Sequence, residues 1–233
     1  TYVGWAWDAG SSTASNTDGD ITSSVRASQS AGFSIVSYTG NGTAGQTVGH
    51  GLNAAPEMII VKNRDSANNW VVGHQSLDSS SPWTKNLYLS SNDAVSTLGA
   101  IWNNTAPTSS VFTVGASSTT NNNGSAYIAY CFNSVDSYSS IGKYVGNGNA
   151  DGPTVTTSFR PAFILTKGIN DAEDWYIRDI ARSPFNEVDE SLRPNDTGSE
   201  YSGRKIDILS NGFKIRDSDS QINENGKSYL YYA

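Results

Sequence analysis

The sequence predicts an all-β fold made of two tandem, homologous β-sandwich domains of jelly-roll type. Three observations predict it. The first is a long internal repeat. Tyr38-Thr39-Gly40-Asn41-Gly42, Pro56-Glu57-Met58-Ile59-Ile60-Val61-Lys62 and Trp70 recur as Tyr144-Val145-Gly146-Asn147-Gly148, Pro161-Ala162-Phe163-Ile164-Leu165-Thr166-Lys167 and Trp175. The prolines at 56 and 161, the lysines at 62 and 167 and the tryptophans at 70 and 175 share one offset of 105, which persists at Leu87 and Leu192. The second is that the apolar runs are short, β-branched and aromatic, too brief for helices. The third is that Gly, Asn and Ser clusters with turn chemistry separate them. No segment sustains a 3.6-residue period, and only Asp179 to Phe185 suggests a helical turn.

The elements follow in chain order. Tyr2-Val3-Gly4-Trp5 matches Tyr127-Ile128-Ala129-Tyr130 and Tyr229-Leu230-Tyr231-Tyr232, predicting a closing strand that belongs to a preceding copy or completes one of these two. The rest of residues 1–30 is rich in Ser, Thr and Asp and reads as a connector. Residues 31–132 form the first copy. Its strands are expected at Phe33 to Tyr38, Met58 to Val61, Trp70 to Val72, Asn86 to Leu89, Val111 to Val114 and Tyr127 to Phe132. Residues 133–140 are a linker short enough to leave the two domains in contact. Residues 141–233 form the second copy. Its register slips after Leu192, as a loop insertion would cause, and Gly212-Phe213-Lys214-Ile215 then answers the Val111 to Gly115 run. A chain that lacks Met at its start and opens in a strand-like run is expected to be a fragment or a processed product.

Composition narrows the function classes. Net charge is −7, with charged residues only 16% of the 233 and aromatics 11%. So acidic a chain does not coat nucleic acid or an anionic membrane by simple electrostatics. No stretch is long enough to span a bilayer as a helix, and no signal peptide is seen. The single cysteine, Cys131, lies in an apolar run and is expected to be a small buried hydrophobe.

The repeated residues also carry a resemblance. Gly32 to Gly42, Val48-Gly49-His50-Gly51-Leu52 and Ala55 to Lys62 are similar to a domain family of unknown function found in tail-fibre and other structural proteins of marine phages, including cyanophages. Asp151-Gly152-Pro153, Phe159 to Phe163 and Leu209 to Lys214 agree. The resemblance implies a place: the virion, in a fibre, an appendage or a capsid decoration. It implies other virion subunits as partners, a homo-oligomer with the trimer favoured, and a host surface glycan as a ligand. It brings no catalytic residues.

Candidate sites are few. For sugar stacking, Trp83 and Trp102 stand out, because both lie in Ser/Asn/Pro-rich stretches and neither has a counterpart in the second copy; Asn103 and Asn104 would hydrogen-bond the hydroxyls. The alternative is that both rings anchor loops or make an intersubunit contact. Asn16, Asp18 and Asp20 place oxygen side chains at alternate positions and are the candidate ligands for Ca2+. The missing later Glu and the lack of flanking helices favour a polar turn instead. No other cofactor is indicated. The second copy has a private acidic group, Asp171, Glu173, Asp174, Asp179, Glu187, Asp189 and Glu190, beside Arg178, Arg182 and Arg193, which reads as a salt-bridged surface. No Gly-x-Ser-x-Gly elbow and no zinc spacing occur, and His50 and His74 are the only histidines. The expected function is therefore a non-enzymatic structural and adhesion module. A polysaccharide-degrading hydrolase and a purely structural spacer are the alternatives.

Overall fold

A computed structural model describes residues 3–233. It is all-β, with about 40% strand and 5% helix in several antiparallel sheets. The first half holds β1 (Ala14–Asn16), β2 (Ser23–Ser28), β3 (Phe33–Thr39), β4 (Gln46–Gly49), β5 (Met58–Asn63), β6 (Val71–His74), β7 (Lys85–Tyr88), β8 (Ser96–Thr97), β9 (Val111–Val114) and β10 (Ala126–Phe132), with a four-residue helix α1 (Gly99–Trp102) before β9. The second half holds β11 (Ile141–Val145), β12 (Thr154–Thr156), β13 (Phe163–Gly168), β14 (Trp175–Asp179), β15 (Val188–Ser191), β16 (Tyr201–Leu209), β17 (Gly212–Ile215) and β18 (Ser228–Tyr232), with α2 (Ser220–Asn223) before β18.

An eight-stranded sheet runs β1-β2-β3-β10-β5-β6-β7-β8, and β4-β9 form a two-stranded ribbon. The second half forms two four-stranded sheets, β11-β18-β13-β14 and β12-β17-β16-β15. These pieces stack in layers separated by three apolar cores. The ribbon packs on the large sheet through Val48, Phe112 and Val114 against Val36, Tyr38, Ile59 and Val61. The opposite face of the large sheet, with Phe33, Met58, Ile60 and Phe132, packs on Leu165, Trp175, Leu230 and Tyr232 of the β11–β14 sheet. That sheet's far face, with Tyr144, Ile164, Tyr176 and Tyr229, meets Ile206, Ile208 and Phe213 of the last sheet. The central sheets are thus covered on both faces. This is why Met58-Ile59-Ile60-Val61 reads as an unbroken apolar run: alternate residues enter opposite cores, and all four are buried.

The sequence repeat has a structural counterpart. Tyr38 stacks on Tyr127 and Tyr144 on Tyr229, each at a centroid distance of 5.1 Å. Phe112 meets Tyr38 edge-on at 6.1 Å as Phe213 meets Tyr144 at 6.2 Å. Val72 pairs with Leu87, and Ile177 with Leu192. The Gly-Asn-Gly turns are held by buried asparagines that the sequence comparison did not single out. Asn121 Oδ1 accepts from the Asn41 N–H at 2.8 Å, and Asn223 Oδ1 accepts from the Asn147 N–H at 2.8 Å.

Two expectations need correction, and the helical turn expected at Asp179 to Phe185 is found. Residues 1–30 are not merely a connector, because β1 and β2 extend the large sheet and Val25 enters its core. The polar run Ser23-Ser24-Val25-Arg26-Ala27-Ser28 hides a strand whose few apolar side chains face inward. The expected opening strand is not one: Val3 to Trp7 make no strand pairing, and Tyr2 lies outside the described residues. The Asp179–Phe185 stretch is a single turn, closed by the Ser183 N–H on the Asp179 carbonyl at 3.3 Å. Among the described residues, no helix is long and apolar enough to cross a membrane.

Candidate functional site

The two tryptophans expected to be exposed are core residues. Trp83 is 5% and Trp102 1% exposed, and their rings meet edge-on at 5.5 Å. Gly73 on β6 makes the room: a Cβ there would lie 2.5 Å from Trp83 and 2.8 Å from Trp102. The matching position of the second half is Arg178 on β14, paired with Ile164 as Gly73 pairs with Ile59. There the long Arg178 side chain, itself 1% exposed, fills the space that two indoles fill in the first half. Trp83 and Trp102 are therefore corrected to loop anchors. Asn103 and Asn104 take left-handed backbone conformations, φ 51° and 53°, and turn the chain after α1.

The Asn16–Asp20 run is a polar turn. Asn16 Oδ1 accepts from the Asp18 N–H at 3.0 Å while its amide nitrogen donates to Asp18 Oδ2 at 2.9 Å. Asp20 Oδ2 accepts from the Thr47 hydroxyl at 2.8 Å and its N–H at 3.1 Å. Asn16 and Asp18 are bonded to each other and Asp20 is held by Thr47, as in a polar turn. The other reactive types are also structural. Burial pushes the Cys131 thiol up to about 12, with the Ser34 hydroxyl opposing. Burial drives His74 down to about 3. His50 bonds the Thr108 carbonyl and accepts from the Leu52 N–H.

A different place gathers exposed aromatic rings. The extended segment Val3–Trp7 crosses the edge where the two central sheets meet, leaving an open groove of about 590 Å3. Trp5 and Trp7 both stand edge-on to Phe163, at 5.8 and 5.4 Å. The Trp5 indole N–H donates to Asp179 Oδ2 at 3.3 Å, and the Trp7 indole N–H donates to the Tyr232 hydroxyl at 2.9 Å. These bonds fix the rings, yet Trp7 stays 38% exposed. The linker supplies the opposite wall. Residues 135–139 form a tight turn, with Ser137 at φ 62°, that presents Tyr138 at 53% exposure. Arg160, exposed beside Pro161, makes no ion pair among the described residues.

Among the described residues that line the groove, the one acidic side chain is Asp179. Burial would raise it, but the Arg182 guanidinium at 2.7 Å and two turn N–H groups hold it below the usual range. Arg182 is held in turn by Glu200. The site therefore offers ring faces for stacking and a guanidinium fork for hydrogen bonding, with its acid locked in the framework. Sequence reasoning missed Trp5 and Trp7 because it read their segment as a closing strand of a repeat. Their spacing two apart, on a run with no structural duty as a strand, was the available signal.

The fold and groove define a class: a layered antiparallel β-protein with an open aromatic recess. The chain belongs to the family described as a domain of unknown function, DUF7483, whose model matches residues 1–233. No curated protein and no solved structure matches it.

Proposed function

We propose that the chain is a non-enzymatic structural and adhesion module of a bacteriophage particle, built as two tandem homologous sandwich domains, whose Trp5–Trp7–Tyr138–Arg160 groove takes a surface saccharide. The observation that carries the reading is the pairing of exposed ring faces with an unpaired guanidinium in one open recess. Sugar rings present an apolar face to such aromatics and hydroxyls to such donors. A glycan hydrolase uses two carboxyl groups across a cleft. Here the one acidic side chain among the described residues lining the groove is already bonded to Arg182 and Trp5, which supports binding over hydrolysis. The virion setting and a homo-oligomer, the trimer favoured, rest on the sequence resemblance. Several copies on one particle make a shallow, weak site useful through avidity.

A glycan array probed with the chain tests this. Saturable binding is expected, and Trp7→Ala or Tyr138→Ala should weaken it about fivefold or more, given roughly 1–3 kcal/mol per lost stacking contact. Tyr138→Ala should do so with an unchanged melting temperature, because that ring is mostly in solvent. A blank array would instead support the spacer reading.

A further inference from the structure

The two halves differ chemically at one corner. In the first half, the turn after β5 carries Ser66 and Asn68, and Asn122 precedes β10. None of these three is acidic, and the corner is self-satisfied: Asn68 donates to the Ser118 carbonyl at 2.9 Å, Asn122 to the Ser125 hydroxyl at 2.9 Å, and Lys62 to the Ser66 carbonyl at 2.7 Å. At the matching positions the second half has Asp171, Glu173 and Glu224. One oxygen from each carboxylate lies within 4.8 Å of the other two.

Glu173 is the unusual member. It is only 7% exposed. Among the described residues its carboxylate has no hydrogen-bond donor, and no cation reaches it within ion-pair distance. Its Oε2 fills the space above Gly168, where a Cβ would come within 1.5 Å; the first half has Asn63 at that place. Lys167, buried beside it, donates to the Gly168 carbonyl at 2.6 Å. Burial pushes the Glu173 carboxyl up to about 7, against the pull of Lys167. A largely desolvated carboxylate with no protein partner is stabilised by a counter-charge that meets it.

We propose that Asp171, Glu173 and Glu224 form a binding site for a hard divalent cation, calcium by preference. All three donors are carboxylate oxygens, and they come from two separate turns. Calcium accepts irregular oxygen sets completed by water, whereas magnesium demands a near-octahedral one. The Lys227 ammonium, 2.7 Å from Asp171, occupies the rim of the site. An exposed pair of this kind is weak, so the ion displaces it. The site is separate from the aromatic groove and stands or falls independently of it.

Titration of the whole chain with calcium chloride tests this, by calorimetry and by melting curves against EDTA. A binding heat and a higher melting temperature are expected in the millimolar range or below, as in extracellular calcium modules with Kd on the order of 10⁻⁴–10⁻³ M. Asp171→Asn and Glu224→Gln, both remote from the cores, should weaken binding about tenfold or more, and Glu173→Gln should abolish it. Lys227→Met should tighten it. Absence of any calcium effect up to about 5 mM, beyond the weak end of that range, overturns the proposal. So does a calcium effect that survives undiminished in both Asp171→Asn and Glu224→Gln.

Discussion

Gly73 and Arg178 occupy one structural position in the two halves, and each dictates its surroundings. Over Gly73 the space is closed by Trp83 and Trp102. Arg178 instead reaches the Arg204 carbonyl at 2.7 Å and lies over the Tyr176 ring at 5.3 Å. Gly73→Ala should therefore destabilise the chain by roughly 1–3 kcal/mol, as overpacking of a filled core does. Urea unfolding checks it, and a neutral result would mean the indoles move freely. This pair also shows what the sequence disclosed. Trp83 and Trp102 sit in loop-like stretches, so local chemistry suggested exposure. The aligned contrast of Gly73 with Arg178 held the missing signal, but only knowledge of which side chains face each other makes it readable. His74 gives a second prediction. Its folded-state value near 3 lies below the unfolded value near 6.5, so the unfolded chain binds more protons between these limits. Its contribution is complete above about pH 6.5 and is lost as pH falls toward 3, amounting to about 2 kcal/mol at pH 5. Stability measured from pH 7.5 to 5 should fall accordingly, and His74→Gln should flatten the slope.

Strands buried on both faces were the most legible elements. β5, β6, β10, β13 and β18 announce themselves as apolar runs because residues on both of their faces enter a core. β1 and β2 were not legible, since they lie toward the sheet edge and alternate polar with buried residues. The turns were legible as Gly-Asn-Gly, but not the means of holding them. The Asn223 amide donates to the Asn149 and Asp217 carbonyls, each at 2.7 Å, and its oxygen accepts from the Asn147 N–H. Asn223→Ala should cost about 1–3 kcal/mol, because carbonyls left buried lose their donor. Asn121→Ala should act similarly in the first half. A comparison of their melting temperatures with wild type tests both, and two silent substitutions would show that water replaces the amides without cost.

On the scale of the whole molecule, the middle core decides how the halves behave. No strand is exchanged among the described residues, yet each half contributes one complete wall of that core. Separation at residues 133–140 would expose Phe33, Met58, Ile60 and Phe132 on one side and Leu165, Trp175, Leu230 and Tyr232 on the other. At about 25 cal/mol per Å2, that burial couples the halves strongly. A single calorimetric transition is expected, and residues 141–233 alone should aggregate unless produced together with the first half. Two well-separated transitions would refute the coupling. The repeat predicts two similar units; it is silent on this shared layer, because a face-to-face packing leaves no periodic trace beyond the strands themselves.

The groove has a mechanical consequence. Val3 and Ala233 line the same recess, and Trp7 is bonded to Tyr232. The first described residue and the last therefore lie at one corner. Tension applied between them would not shear the stacked sheets. It would peel the Trp5–Trp7 segment away first, opening the recess before any core gave way. The recess would then empty under load.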